Sequence, residues 1–110
     1  MTNKIALKFL AIVKPEYADA FYDCNGYIRS ENAVDCFGRY LHIFNPTNTD
    51  DVLKLAIEWL PSDSYVFVVY AGKISNSVEL WAGSETLTET TNKSLNQAIM
   101  QCVIKAAEAI

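Results

Sequence analysis

A chain of 110 residues, 51% hydrophobic and 12% aromatic, holds the material for one core and lacks the length for a second. At this size folding hides about 65% of the surface that the unfolded chain exposes, so no staples are needed, and the apolar content excludes global disorder. The net charge of −4 is uneven: residues 1–45 carry five bases and five acids, residues 46–110 four bases and eight acids, and no Lys/Arg cluster exists to grip a phosphate backbone.

The first apolar run, Ile5 to Val13, reads two ways. Ile5, Leu7, Phe9 and Val13 alternate as in a strand, whereas Ile5, Phe9, Ile12 and Val13 suit a helical face. Ala, Leu and Lys tilt the reading to helix. Lys8 interrupts the run and no small-residue cleavage site precedes Pro15, so a signal peptide is not expected. No apolar stretch reaches the roughly 18 residues of a membrane span. The expectation is a soluble, cytoplasmic protein that does not engage membranes or bind nucleic acid directly.

Pro15 stands where a second helix can open, and the reading places one near 15–23. Tyr17 and Phe21 would then share a face, and with Tyr22 and Tyr27 they form an aromatic cluster. Core packing is the plain interpretation; a contact surface is the other, because tyrosine buries a large area at small entropic cost. Arg39 to Phe44 reads as a strand, stopped by Pro46. Thr49, a good N-cap, and the acids Asp50 and Asp51 open a helix over 49–60, with Val52, Leu55, Ala56 and Trp59 inward and Pro61 at its end.

Residues 64–70 are apolar nearly throughout, as in a strand buried on both faces, and Gly72 and Asn76 turn the chain into a return strand over 77–82. Residues 84–93 read as a polar, Thr-rich loop. From Ser94 onward, Leu95, Ala98, Ile99, Cys102, Val103, Ala106 and Ile110 recur at helical spacing, which predicts a helix over 94–109 with Ser94 or Asn92 capping it. No internal repeat or linker divides the chain. The fold class is therefore α+β: a small sheet of about three strands (39–44, 64–70, 77–82) packed by helices near 15–23, 49–60 and 94–109, in one domain.

From residue 46 the order is helix, strand, strand, helix. Asn45-Pro46-Thr47-Asn48-Thr49-Asp50-Asp51 leads into the first helix, the hairpin carries Trp81, and Ser94-Leu95-Asn96-Gln97-Ala98-Ile99-Met100-Gln101-Cys102 opens the last. In this the last 65 residues resemble a family of small phage-encoded proteins with an α-β-α sandwich, which similarly place a Ser/Thr-Asp turn before one helix and an Ala-Ile-Cys-type start in the last. The resemblance implies a fold and a phage or prophage origin, hence a host cytoplasm, and no reaction.

The residues offer little chemistry. Nucleophilic catalysis would need the single histidine, His42, beside Cys24 or Cys36, with Asp23 or Asp35 to orient it, and no local signature surrounds either cysteine. A structural zinc site needs about four soft ligands, commonly as two close pairs, and Cys24, Cys36, Cys102 and His42 supply no close pair. Gly72-Lys73 lacks the upstream glycine and the following Ser or Thr of a phosphate loop. Asp50 and Asp51 diverge as helix neighbours and read as capping, and Glu85 and Glu89 read as solvated. No metal or cofactor is expected.

Three functions follow. The first is a non-enzymatic accessory protein that binds a host protein or complex, an anti-CRISPR-like inhibitor of a defence system being one instance. Asp51, Glu58, Asp63, Glu85 and Glu89 would compete for a basic groove, with Tyr17 and Tyr22 as contact residues. The second is a small enzyme or ligand-binding domain using His42 with Cys24 or Cys36. The third is a homodimer through the open edge of the small sheet.

Overall fold

The computed structural model describes residues 2–109. Their order is α1 (Thr2–Val13), a 3-10 turn (Pro15–Tyr17), β1 (Phe21–Tyr22), β2 (Ile28–Arg29), α2 (Thr49–Trp59), β3 (Tyr65–Ala71), β4 (Asn76–Ala82), β5 (Glu85–Asn92) and α3 (Leu95–Ala109). The class is α+β, with an antiparallel three-stranded meander β3-β4-β5 and a separate two-stranded ribbon β1-β2. No helix among the described residues is long and apolar enough to cross a membrane.

α3 organises the interior. Ala98, Ile99, Met100, Cys102, Val103 and Ala106 are all buried, more than one face of a helix can account for, because α3 packs on β4 and β5 and also on α1 and α2. Its small residues let the sheet approach closely. Thr90 of β5 donates its hydroxyl to the Ala98 carbonyl at 2.6 Å, and burial pushes the nearby Cys102 thiol up to about 11. Val78 and Leu80 of β4 complete the contact from the sheet side.

Tertiary packing decides the ambiguous first run in favour of helix. Ala6, Phe9 and Leu10 fall on one face of α1 and are fully buried. α2 buries Val52 and Ala56, and it ends before Pro61, as expected. Its cap is Asn48 rather than Thr49: the Asn48 side-chain Oδ1 accepts from the Asp51 N–H at 3.1 Å. The Thr49 hydroxyl is thereby free to donate to Asn96 Oδ1 at 2.8 Å, tying the start of α2 to the start of α3.

Four expectations need correction. Residues 39–44 form no strand; a single bridge joins Val34 to Tyr40. The third strand is instead β5, in the segment read as a Thr-rich loop. Threonine is β-branched and suits a pleated surface, and β5 needs few large apolar residues because Thr90 satisfies itself on α3. The helix near 15–23 stops after the 3-10 turn, so Tyr17 and Phe21 do not share a helical face. There Asp23 turns its carboxylate onto the backbone N–H groups of Asn25 and Tyr27, which competes with a helix. Finally, β3 is not buried on both faces: among the described residues no layer covers the face opposite α3, and Val66 and Tyr70 are exposed there.

Candidate functional site

From the turn of the ribbon to the start of α2 the chain is mostly irregular, and it carries a short repeat that no long period reveals. Asp23-Cys24-Asn25-Gly26 and Asp35-Cys36-Phe37-Gly38 share the pattern Asp-Cys-X-Gly. They also share a structure. In the first turn, Asp23 Oδ1 accepts the N–H groups of Asn25 and Tyr27 at 2.8 and 3.0 Å, and Oδ2 accepts Arg29 Nε at 2.7 Å. In the second, Asp35 Oδ1 accepts the N–H groups of Phe37 and Arg39, both at 2.9 Å, and Oδ2 accepts Arg39 Nε at 2.9 Å.

The backbone repeats as well. Gly26 and Gly38 donate to the Asp23 and Asp35 carbonyls, each at 3.0 Å, from φ of 82° and 79°. That left-handed conformation is nearly free for glycine and strained for most other residues. One short side chain therefore fastens three donors in each turn. These bonds hold both carboxyls below the ordinary carboxylate range, mainly through Arg29 for Asp23 and through the Arg39 N–H for Asp35.

The first clamp aims a cation. Fixed by Asp23, the Arg29 guanidinium lies 5.4 Å from the ring centroid of Tyr27 and 5.5 Å from that of Tyr40, so rings from both turns flank it. On the second turn Arg39 lies 5.1 Å from the Phe37 ring, out in solvent. The segment is fastened to the body below. Ser30, fully buried, donates to Asp19 at 2.7 Å and accepts from the Asn32 N–H, while Asn32 donates to the Glu16 carbonyl at 2.8 Å.

Beside Arg29 a cleft of about 770 Å³ opens between the twin turns and the first turns of α3. Ile28, Phe44 and Met100, all buried, form its apolar floor. Tyr22, Tyr27 and Tyr40 stand around it, and burial raises the Tyr22 phenol above its ordinary value. Polar groups come from the other side: Asn45 and Thr47 before α2, and Ser94, Asn96 and Gln97 at the start of α3. Arg29 and His42 are the basic residues of the lining, which contains no carboxylate. An apolar floor with a few convergent polar groups is the usual composition of a binding cleft.

His42 sits at the rim with 68% of its side chain exposed, and its Nε2 is 3.5 Å from Asp51 Oδ2. Asp51 is chiefly occupied by the Asn45 N–H at 3.0 Å, which pins the loop to the start of α2. Cys24 and Cys36 are exposed at the second position of each turn, and neither lines the cleft with His42. The histidine-thiol pair considered from the sequence is not assembled there. Among the described residues no group of three His, Cys, Asp or Glu side chains could hold a metal ion.

The acidic residues singled out from the sequence lie on separate elements. Asp51 is at the start of α2, and Glu58, further along α2, approaches Lys14 at 3.7 Å. Asp63 and Glu85 lie at one end of the sheet, where the Gly83 N–H donates to the Ser64 carbonyl, and Glu89 stands opposite Glu79 in the meander. Tyr17 ends the 3-10 turn and packs against the core, whereas Tyr22 lines the cleft. Tyr27, Arg29 and Tyr40 were not all foreseen; the doubled Asp-Cys-X-Gly, each followed by an arginine, was the available signal. Comparison with protein-family models, curated proteins and solved structures finds no match for this chain.

Proposed function

We propose that this protein is a non-catalytic binding module that takes a segment of a partner protein into the cleft between the twin turns and α3. The observation that carries the reading is Arg29, fixed by Asp23 and flanked by two tyrosine rings at the wall of an apolar-floored cleft. Tyrosine and arginine dominate the energetics of protein interfaces, and a side chain already held in place loses little freedom on binding. The floor formed by Ile28, Phe44 and Met100 suits an apolar or aromatic anchor. With two basic residues and no acid in the lining, a carboxylate beside that anchor is favoured.

In a phage-type accessory protein, such a cleft would act by stoichiometric occupation of a host protein, and inhibition of a host defence complex is the sharpest form of the proposal. Catalytic use of His42 has no comparable support, since no thiol shares the cleft with it.

Selection of random peptides against the folded protein tests the reading. Enriched peptides are expected to pair an aromatic residue with an adjacent Asp or Glu and to bind more weakly as salt rises. Tyr40→Ala and Arg29→Ala should each weaken binding by about tenfold or more. Absence of enrichment, or binding indifferent to both substitutions, would refute it.

A further inference from the structure

Among the described residues nothing pairs with one edge of β3, which bonds to β4 on its other side. α3 packs chiefly on β4 and β5, so β3 lies at the margin of the helix layer. Val66 and Tyr70 are 52% and 55% exposed on the open face, and Val69 is exposed on the other.

Exposed edges normally carry a charge, a proline or a bulge that blocks further pairing. The opposite edge is guarded in this way. β5 carries Glu85 and Glu89, its pairing with β4 shifts register at Leu80/Trp81, and Lys105 donates to the Glu89 carbonyl at 3.2 Å. The seven residues of β3, Tyr65 to Ala71, contain no charge, no proline and no glycine.

We propose that β3 is the seat of a two-fold dimer in which the β3 edges of two copies of this chain pair antiparallel and join their meanders into one six-stranded sheet. A two-fold axis perpendicular to the sheet keeps both α3 layers on one side, so alternative registers differ by slips that keep every side chain on its face. Centred on Val68, the pairing sets Val66 against Tyr70 of the second copy, a β-branched residue against an aromatic one. Beyond the strand ends, the same register brings the turn that carries Asp63 in each copy toward the turn that carries Lys73 in the other. The next slip in either direction takes these two charges out of line. Complementarity of charge therefore selects the register that also overlaps the whole strand.

Sedimentation equilibrium over about 1–100 µM tests the dimer. Wild-type protein is expected to move from 12.3 kDa to twice that mass. Val68→Lys sets like charges against each other on the axis and should weaken association by about tenfold or more. Asp63→Lys and Lys73→Asp should each weaken it, and the two together should restore it. A wild-type chain that stays at 12.3 kDa, as expected if the edge instead serves a strand from another protein, would overturn the proposal. So would a dimer indifferent to Val68→Lys, or a double exchange without recovery. Should Val68→Lys fail to fold, the charge exchanges decide, because both positions lie in exposed turns.

Discussion

Phe44 is the only buried residue between Ala33 and Val52. Its side chain is 4% exposed, forms part of the cleft floor, and meets Phe9 of α1 with ring centroids 5.8 Å apart and planes tilted by 57°. If this contact holds the second turn to the body, Phe44→Ala should remove much of the stability of the whole domain. Truncating a buried phenylalanine costs about 3–5 kcal/mol, of which the tilted ring pair supplies about 0.5–1.5. A domain of this length has about 5–15 kcal/mol in total, so the loss is about a fifth of it or more.

Phe37 provides the comparison within the same segment. Its side chain is of the same type but 78% exposed, and Phe37→Ala should change stability by about 0.5 kcal/mol or less. Urea titration followed by far-ultraviolet circular dichroism measures both. A cooperative segment lowers the midpoint in Phe44→Ala and leaves the slope unchanged, whereas a segment already detached in the native state lowers the slope. A loss below about 1.5 kcal/mol with an unchanged slope would refute the idea that Phe44 anchors the turns.

Acid should loosen the turns. Asp23 and Asp35 titrate below the ordinary 3.8 in the folded protein, so their stabilisation is complete above that value and fades as pH falls through the lower folded values. An Asp23→Asn/Asp35→Asn protein should therefore show a shallower acid limb in a stability-against-pH titration, and an unchanged limb would exclude this linkage. Ellman's reagent should modify two thiols promptly, Cys24 and Cys36, and reach Cys102 only in denaturant, because that thiol is buried and pushed up to about 11. Gly26→Ala and Gly38→Ala meet no atom within 4 Å, so each should cost only the left-handed backbone, about 1–2 kcal/mol by urea titration. The two losses should add if the turns are independent.

Where burial imposes a period, the sequence discloses the fold. α3, α2 and the β3-β4 hairpin emerge from apolar spacing because each presents a face to one core. β5 does not, because its half-buried positions are Leu87, Thr88, Thr90 and Asn92, a single aliphatic residue among polar ones, and the Thr90 hydroxyl finds a carbonyl. Polarity hid a strand that β-branching would have supported. The first run is ambiguous for a different reason: Phe9 satisfies both periods, and packing against α3 and α2, which buries Ala6 and Leu10 on the same face, selects helix.

The cleft was hidden by its construction. Its walls come from residues 22–47 and 94–100, which no local pattern connects, and its shape depends on turns closed by side chain-to-backbone bonds. Such turns leave no hydrophobic period, only the short signature Asp-X-X-Gly, in which the carboxylate supplies the acceptor and glycine the left-handed step. Two copies of that signature, each followed by an arginine, distinguish a structured segment from a slack loop. They also explain how Arg29 comes to line the cleft: Asp23 holds the guanidinium by its Nε while it fastens the first turn, and Tyr27 and Tyr40 flank it.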